Sequence, residues 1–350
     1  MQEITIGNRK VGPDHPPFII AEMSGNHNQS LDKALAIVDA AAGAGADAIK
    51  LQTYTADTMT IDLDKNEFKV EDPASPWNGY TLYRLYDEAH TPWEWHRELF
   101  ERGRQHGLVV FSTPFDSSAV VFLEELNAPC YKVASFENTD MPLIRKIAAT
   151  GKPMIVSTGM ATVAELSETV RTARESGCKD LILLKCTSNY PASPEYSHVR
   201  TIPHMQELFD VQTGLSDHTL GVGAAIAAVA LGATVIEKHL TLSRAEGGVD
   251  AAFSMEPAEF KSLVEETRRA WQAMGKVSYG VSESETRSSV FRRSLYIVAD
   301  LKKGDKFSPV NLRAIRPGYG LPTKFLDVFL GKRAARDVKR GTPLSWDLLE

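Results

Sequence analysis

The sequence has little cysteine, three residues in 350, and no two of them form a C-x-x-C pair. An odd count without that spacing excludes a disulfide framework or a thiolate zinc site and points to reduced thiols. No apolar run approaches the roughly 18 residues of a membrane-spanning helix. The opening "MQEITIGNRKVGPDH" lacks the charged start and apolar stretch of a secretory leader, so a cytoplasmic location is expected. Positive charge is not in excess. With a formal net charge of −6, neither nucleic acid nor an anionic membrane is expected as a partner, although local basic clusters can still hold a small anion. The first strand-like run is not followed by the glycine fingerprint of a dinucleotide-binding fold.

What is present is ordinary soluble composition, 43% apolar and 24% charged, in a chain long enough for one large domain and one small one. Eight short β-branched or apolar runs recur: "FIIAEMS" from Phe18, "AIKLQTY" from Ala48, "VVFSTPF" from Val109, "CYKVAS" from Cys130, "PMIVSTG" from Pro153, "LILLKCTS" from Leu181, "VQTGLSDH" from Val211 and "TVIEKHLT" from Thr234. Helical periodicity fills the gaps. "SLDKALAIVDAAAGAGA" places Leu31, Leu35 and Val38 on one face, with Ser30 as N-cap. Strand and helix alternating eight times predicts a parallel sheet closed into a (β/α)8 TIM barrel; a doubly wound open sheet is the alternative.

In such barrels the chemistry sits at the C-terminal strand ends. Here those ends carry Glu22, Lys50 and Gln52, Thr113, Lys132 and Ser135, Ser157, Ser188, Ser216 and His218, and Glu237 and His239. Any one of these residues fits a satisfied polar cap. The whole set would crowd two lysines, two histidines and two glutamates together with only each other as partners. Strand parity puts Lys50 with Gln52, Ser216 with His218 and Glu237 with His239 on shared faces, and sends Asp217 and Lys238 outward or into turns.

His218 and His239 are too few for a closed zinc site and suit an open divalent site for Mn2+, Mg2+ or Co2+; two histidines merely hydrogen-bonded in a polar mouth is the competing reading. Lys50 and Lys132 with Thr113, Ser135, Ser157 and Ser216 form a phosphate cradle, or else one lysine forms a Schiff base. Cys186 reads as a nucleophile or as a small buried hydrophobe. The insertion at 55–96, carrying Trp77, Tyr80, Tyr83 and Tyr86, is either a lid over the mouth or an excursion packed on the barrel. The expected division is a barrel over 1–278, a linker over 279–290 and a small β-rich module over 291–350. In that module Arg316 either reaches an anionic ligand or is a surface arginine.

The motifs "IIAEMSGNHNQSLDKA", "AGADAIKLQTY", "FSTPFD", "YKVASFE", "KPMIVSTGM", "CTSNYP", "GLSDHTLG", "GATVIEKHLTL" and "KKGDKFSPVNLRAIRPGYGL", in this order, resemble the sialic acid synthase family, and the last resembles its SAF, or antifreeze-like, domain. "KVASFE", "LYRLYDEAHTPWEWH" and "FRRSLY" look most like the pseudaminic branch. The resemblance implies condensation of phosphoenolpyruvate with an acetamido hexose, 2,4-diacetamido-2,4,6-trideoxy-L-altrose in that branch; N-acetylneuraminate or legionaminic acid synthesis is the alternative within the family.

It implies a divalent metal ion on His218 and His239, and phosphoenolpyruvate held by Lys50, Thr113, Lys132, Ser135, Ser157, Ser188 and Ser216. Glu22 would lie near the metal-bound water, and Gln52, Tyr190 and Asp250 would face the sugar. Arg316 would reach the other subunit's site in a domain-swapped homodimer. Ser188 departs from the asparagine of sialic acid synthases. Outside this reading stand a pyruvate-dependent metal aldolase and a non-catalytic sugar- or anion-binding protein.

Overall fold

The computed structural model describes residues 2–73, 75 and 77–350. Two compact units divide the chain, 1–275 and 276–350. The first opens with an antiparallel hairpin, β1 (Ile4–Ile6) and β2 (Arg9–Val11), turned at Gly7, whose positive φ of 59° suits glycine. Eight parallel strands follow: β3 (Phe18–Glu22), β4 (Ala48–Thr53), β5 (Val109–Pro114), β6 (Tyr131–Val133), β7 (Met154–Ser157), β8 (Leu181–Cys186), β9 (Gln212–Asp217) and β10 (Val235–His239). They close into a barrel in sequence order, with β10 pairing back onto β3, as the eight apolar runs predict.

The helices between them are α1 (Leu31–Gly43), α2 (Ala56–Met59), α3 (Leu82–Ala89), α4 (His96–Gln105), α5 (Ser117–Glu125), α6 (Met141–Ala148), α7 (Val163–Glu175), α8 (Thr201–Phe209), α9 (Gly223–Ala230) and α10 (Pro257–Met274). Ser30 caps α1 by accepting from Lys33 N. The core stripe of α1 is not the one expected. Ala34, Ile37, Val38 and Ala41 are buried, while Leu31 and Leu35 pack at its margin, because small residues let the helix lie close to the sheet.

Two apolar layers hold the barrel. One lies between strands and helices and includes Ile19, Ile49, Val110, Val133 and Leu183. The other fills the lower barrel with Phe18, Ile20, Phe111, Ile155, Ile182, Leu184 and Val235, joined by Ile4, Ile6 and Val11 of the hairpin. The hairpin therefore plugs the N-terminal end, leaving the C-terminal end for polar groups. Asp217 and Lys238 do leave the lumen, but not for solvent or a turn: they pair at 2.6 Å with both side chains 1% exposed, and Lys238 also donates to Thr219 O. A buried charge needs such a partner.

The insertion contains α2 and α3. Trp93 donates to Tyr54 O and stacks on Phe122 at 4.8 Å, and His96 bonds Thr53, so this part packs on the barrel. Trp77 lies instead against Tyr190, with ring centroids 5.8 Å apart.

The second unit pairs β11 (Ser294–Ile297) with β12 (Leu312–Ile315), followed by α11 (Leu326–Phe329). Leu295, Ile297, Phe307, Leu312, Phe329 and Leu344 form its core. Two basic turns of this unit, "LKKGDKF" and "VKRGTPL", pivot on glycines at positive φ, Gly304 (86°) and Gly341 (89°).

Candidate active site

Register brings the mouth residues together. In the pairing of neighbouring strands, His239 stands beside Glu22, Glu22 beside Lys50, Gln52 beside Thr113, and Glu237 beside Ser216. The side chains complete the set. Lys50 pairs with Glu22 and donates to Thr113 at 3.2 Å. Glu237 Oε1 lies 3.8 Å from both Lys50 Nζ and Lys132 Nζ and accepts from Ser216 at 3.0 Å. Lys132 donates to Ser157 at 2.6 Å.

This ionic cluster is almost dry, and burial sets its protonation. Burial raises Glu22 to about 7, against the pull of Lys50 and with help from Glu237. Burial would raise Glu237 too, but Lys132 and Lys50 outweigh it and hold that carboxyl below its usual range. Two carboxyls a few ångströms apart are thus split into one ionised and one that exchanges protons near neutrality, the pattern expected of acid–base sites. Burial lowers Lys132. For Lys50 the same burial is overcome by Glu22 and Glu237, which raise it.

Next to Lys132 is a small polar hollow. Gly159 N donates to Ser135 Oγ at 3.1 Å, and a Cβ on Gly159 would run into the hydroxyls of Ser135 and Ser188. Ser188 Oγ is buried and has no hydrogen-bond partner. A buried hydroxyl donor without a partner is a ready contact for an anion. Thr113 and Ser216, in contrast, are engaged with Lys50 and Glu237.

On the opposite side the rings of His218 and His239 have centroids 5.3 Å apart. His218 Nδ1 hydrogen-bonds Thr187 O at 3.0 Å, which leaves Nε2 as the free nitrogen. His239 Nδ1 is buried and unpartnered, and burial, followed by the charge of His218, keeps that imidazole well below its usual value and so neutral. His218 is shifted the other way: burial lowers it, but the Cys186 thiol and Thr187 O outweigh that and raise it. Imidazoles with uncommitted nitrogens, His218 Nε2 and His239 Nδ1, fit an open two-histidine metal site. No cluster of three or more His, Cys, Asp or Glu side chains with metal-binding geometry occurs among the described residues.

Asp250 adjoins His239 at 3.9 Å and accepts from Ser24, while Gln52 donates to Ser24 and to Glu22, both at 3.0 Å. Tyr190 lies over His218 with ring centroids 4.5 Å apart, and Phe253 packs on His239 at 5.0 Å. Every barrel residue singled out in the sequence thus comes to this mouth. Arg316 is exposed and belongs to the second unit.

Sequence reasoning passed over three contributors, Glu137, Ser24 and Gly159. Glu137 is raised to about 7 by burial and leaves an oxygen unpartnered. It sits two residues beyond Ser135, a spacing that could have flagged it. Ser24 follows Glu22 by the same parity, and Gly159 follows the "ST" of β7. Trp77 was named from the sequence, but only among several aromatic residues. Cys186 is buried with Sγ 3.9 Å from His218 Nδ1; burial would raise its thiol, but His218 outweighs that and draws it to about 7.

The fold and mouth define a (β/α)8 barrel with a buried ionic centre, followed by a small β module. The chain belongs to the NeuB family, whose model matches residues 37–279, and residues 292–350 match the SAF domain. It is 44% identical to a pseudaminic acid synthase of Campylobacter jejuni subsp. jejuni serotype O:2 over 97% of this chain and 98% of that protein. It is 42% identical to a pseudaminic acid synthase of Helicobacter pylori over 96% and 98%. Among solved structures it resembles the N-acetylneuraminic acid synthetase of Leptospira borgpetersenii serovar Hardjo-bovis in complex with citrate, with a TM-score of 0.73, 32% identity, and coverage of 82% of this chain and 95% of that one. No helix among the described residues is long and apolar enough to cross a membrane.

Proposed function

We propose that the protein condenses phosphoenolpyruvate with 2,4-diacetamido-2,4,6-trideoxy-L-altrose and water to give pseudaminic acid and phosphate. The observation that carries this reading is the juxtaposition of a lysine–serine hollow with an unpartnered donor and two histidines that each keep a ring nitrogen free of hydrogen bonds. One part suits the phosphate of the enol donor and the other suits a sugar aldehyde. The names of the Campylobacter and Helicobacter relatives support the choice of sugar.

Lys132, Ser135, Ser157 and Ser188 hold the phosphate, with Lys50 on its flank; Thr113 and Ser216 fix Lys50 and Glu237 in place. Gln52, Tyr190 and Asp250 line the sugar's position. A divalent cation, Mn2+, Mg2+ or Co2+, held by His218 and His239, supplies Lewis-acid polarisation of the aldehyde. C3 of phosphoenolpyruvate bonds to the aldehyde carbon, whose oxygen takes a proton from the protonated form of Glu22 and becomes a hydroxyl. Water then adds at C2, and Glu22, poised near neutrality, orients it and takes back one proton. The C2–O bond breaks as the C2 hydroxyl passes its proton to the departing phosphate and becomes the keto group, and the ammonium groups of Lys50 and Lys132 stabilise that phosphate.

The second unit carries more lysine and arginine than aspartate and glutamate although the whole chain is net negative. That asymmetry supports a homodimer in which the module of one copy, with Arg316, meets the acidic barrel of the other. We place the hinge of this exchange in 279–290 and the enzyme in the cytoplasm, where phosphoenolpyruvate is made. Phosphate release with a panel of acetamido sugars, including N-acetylmannosamine and the legionaminic acid precursor, tests the assignment: the diacetamido altrose is expected to give the highest kcat/KM.

A further inference from the structure

The mechanism leaves Trp77 unused, although it is the part of the insertion that reaches the mouth. Its ring lies 5.8 Å from Tyr190, which in turn covers His218. The indole is fixed. Nε1 donates to Val249 O at 2.8 Å, one residue before Asp250.

The insertion behind it is clamped as well, since Gln29 Nε2 donates to Glu88 O at 3.1 Å and His90 O at 2.7 Å. Gly25 makes this closure feasible: a Cβ there would collide with Val249 and press on Ala89. Trp77 also lines a cavity of about 400 Å3 together with Asn28, Gln29, Tyr80 and Val249. A side chain whose one polar atom is already bonded, beside a cavity edged by amides, offers an apolar face with hydrogen-bonding groups at its rim.

We propose that Trp77 is a specificity-determining residue that packs against the C4 acetamido group of the sugar and selects diacetamido over monoacetamido substrates. This rests on the synthase reading, which puts the aldehyde at His218 and His239. In an extended hexose C4 lies about 4 Å from C1, at roughly 1.2 Å per bond, and its acetamido group reaches about 4 Å further. The carbons distal to the aldehyde therefore pass Tyr190 toward Trp77. An acetyl methyl removes water from the indole face, and the amide of the same group finds acceptors and donors at the cavity rim. A monoacetamido hexose would instead set hydroxyls against the indole without a partner, which is costly.

The test compares wild type with Trp77→Ala, Trp77→Leu and Trp77→Phe by phosphate release, using the diacetamido altrose and N-acetylmannosamine as sugars. Trp77→Ala is expected to raise KM for the diacetamido sugar at least about tenfold, to leave KM for phosphoenolpyruvate within about twofold, and to shrink the preference between the sugars by the same factor. Trp77→Phe should recover most of the preference, and Trp77→Leu covers the case in which the alanine variant does not fold. An equal loss with both sugars, or no change with either, in a folded variant overturns the inference while the synthase reading stands. A wild-type enzyme that releases no phosphate with any acetamido sugar overturns both.

Discussion

The carboxylate of Glu237 and the ammonium of Lys132, both buried, face each other at 3.8 Å across the barrel mouth. The same carboxylate is equally far from Lys50 and accepts from Ser216. Glu237→Gln keeps the shape and removes the charge that two buried ammonium groups share. Breaking one side of a buried ion pair costs about 3–5 kcal/mol, so urea unfolding at pH 7 should show a loss of that order. A loss no larger than that of an exposed glutamate variant would mean that the lysines find other counter-charges.

Glu137 gives a pH-dependent signature. Burial raises its carboxyl from 4.5 to about 7, so the folded state prefers the neutral form. The stability it contributes is full below about 4.5 and is lost as pH rises through about 7. Between pH 4.5 and 8 the wild type should therefore lose on the order of 3 kcal/mol relative to Glu137→Gln. Denaturation of both proteins across that range checks the sign: parallel curves would place the Glu137 carboxyl at its ordinary value.

Gly159→Ala tests the anion hollow. A methyl group there meets the hydroxyls of Ser135 and Ser188, so it should raise KM for phosphoenolpyruvate by about tenfold or more while KM for the sugar stays nearly constant. The backbone at this position is not left-handed, so the cost is steric alone: Ser135 and Ser188 must move aside, and the variant should lose about 1–3 kcal/mol of stability while remaining folded.

His239→Ala should reduce turnover at least about 100-fold and abolish its dependence on added Mn2+ while the fold survives. Wild-type activity in that variant with added metal would move the metal elsewhere.

Dimer exchange has its own test. If Arg316 serves the partner's barrel, mixing inactive Arg316→Ala and His239→Ala subunits should restore about a quarter of wild-type activity through heterodimers with one intact site. If each subunit completes its own site, mixing restores nothing.

The barrel was legible in the sequence because every strand is a short apolar run and every gap is helical. The mouth followed from the rule that barrel chemistry sits at C-terminal strand ends, which grouped Glu22, Lys50, Gln52, Lys132, Ser216, His218, Glu237 and His239, with parity pairing Lys50 with Gln52, Ser216 with His218 and Glu237 with His239. What escaped depended on contacts distant in sequence. The hairpin around Gly7 is too short to show periodicity and gains meaning only where Ile4, Ile6 and Val11 meet Phe18 and Phe111. Asp217 and Lys238 could be sent out of the lumen by alternation, but only the neighbouring strand shows that they neutralise each other. The insertion permitted two readings, and only contacts distant in sequence tell its parts apart: Trp93 packs on the barrel and Trp77 lies against Tyr190.

The central claim is a condensation that breaks the C2–O bond of phosphoenolpyruvate. The direct measurement uses phosphoenolpyruvate with 18O in the oxygen bridging C2 and phosphorus, together with the diacetamido sugar and metal, and follows phosphate by mass. The account predicts one phosphate per sugar consumed, carrying the label. Label retained in the nonulosonate, or sugar consumed with pyruvate and no phosphate formed, would contradict it.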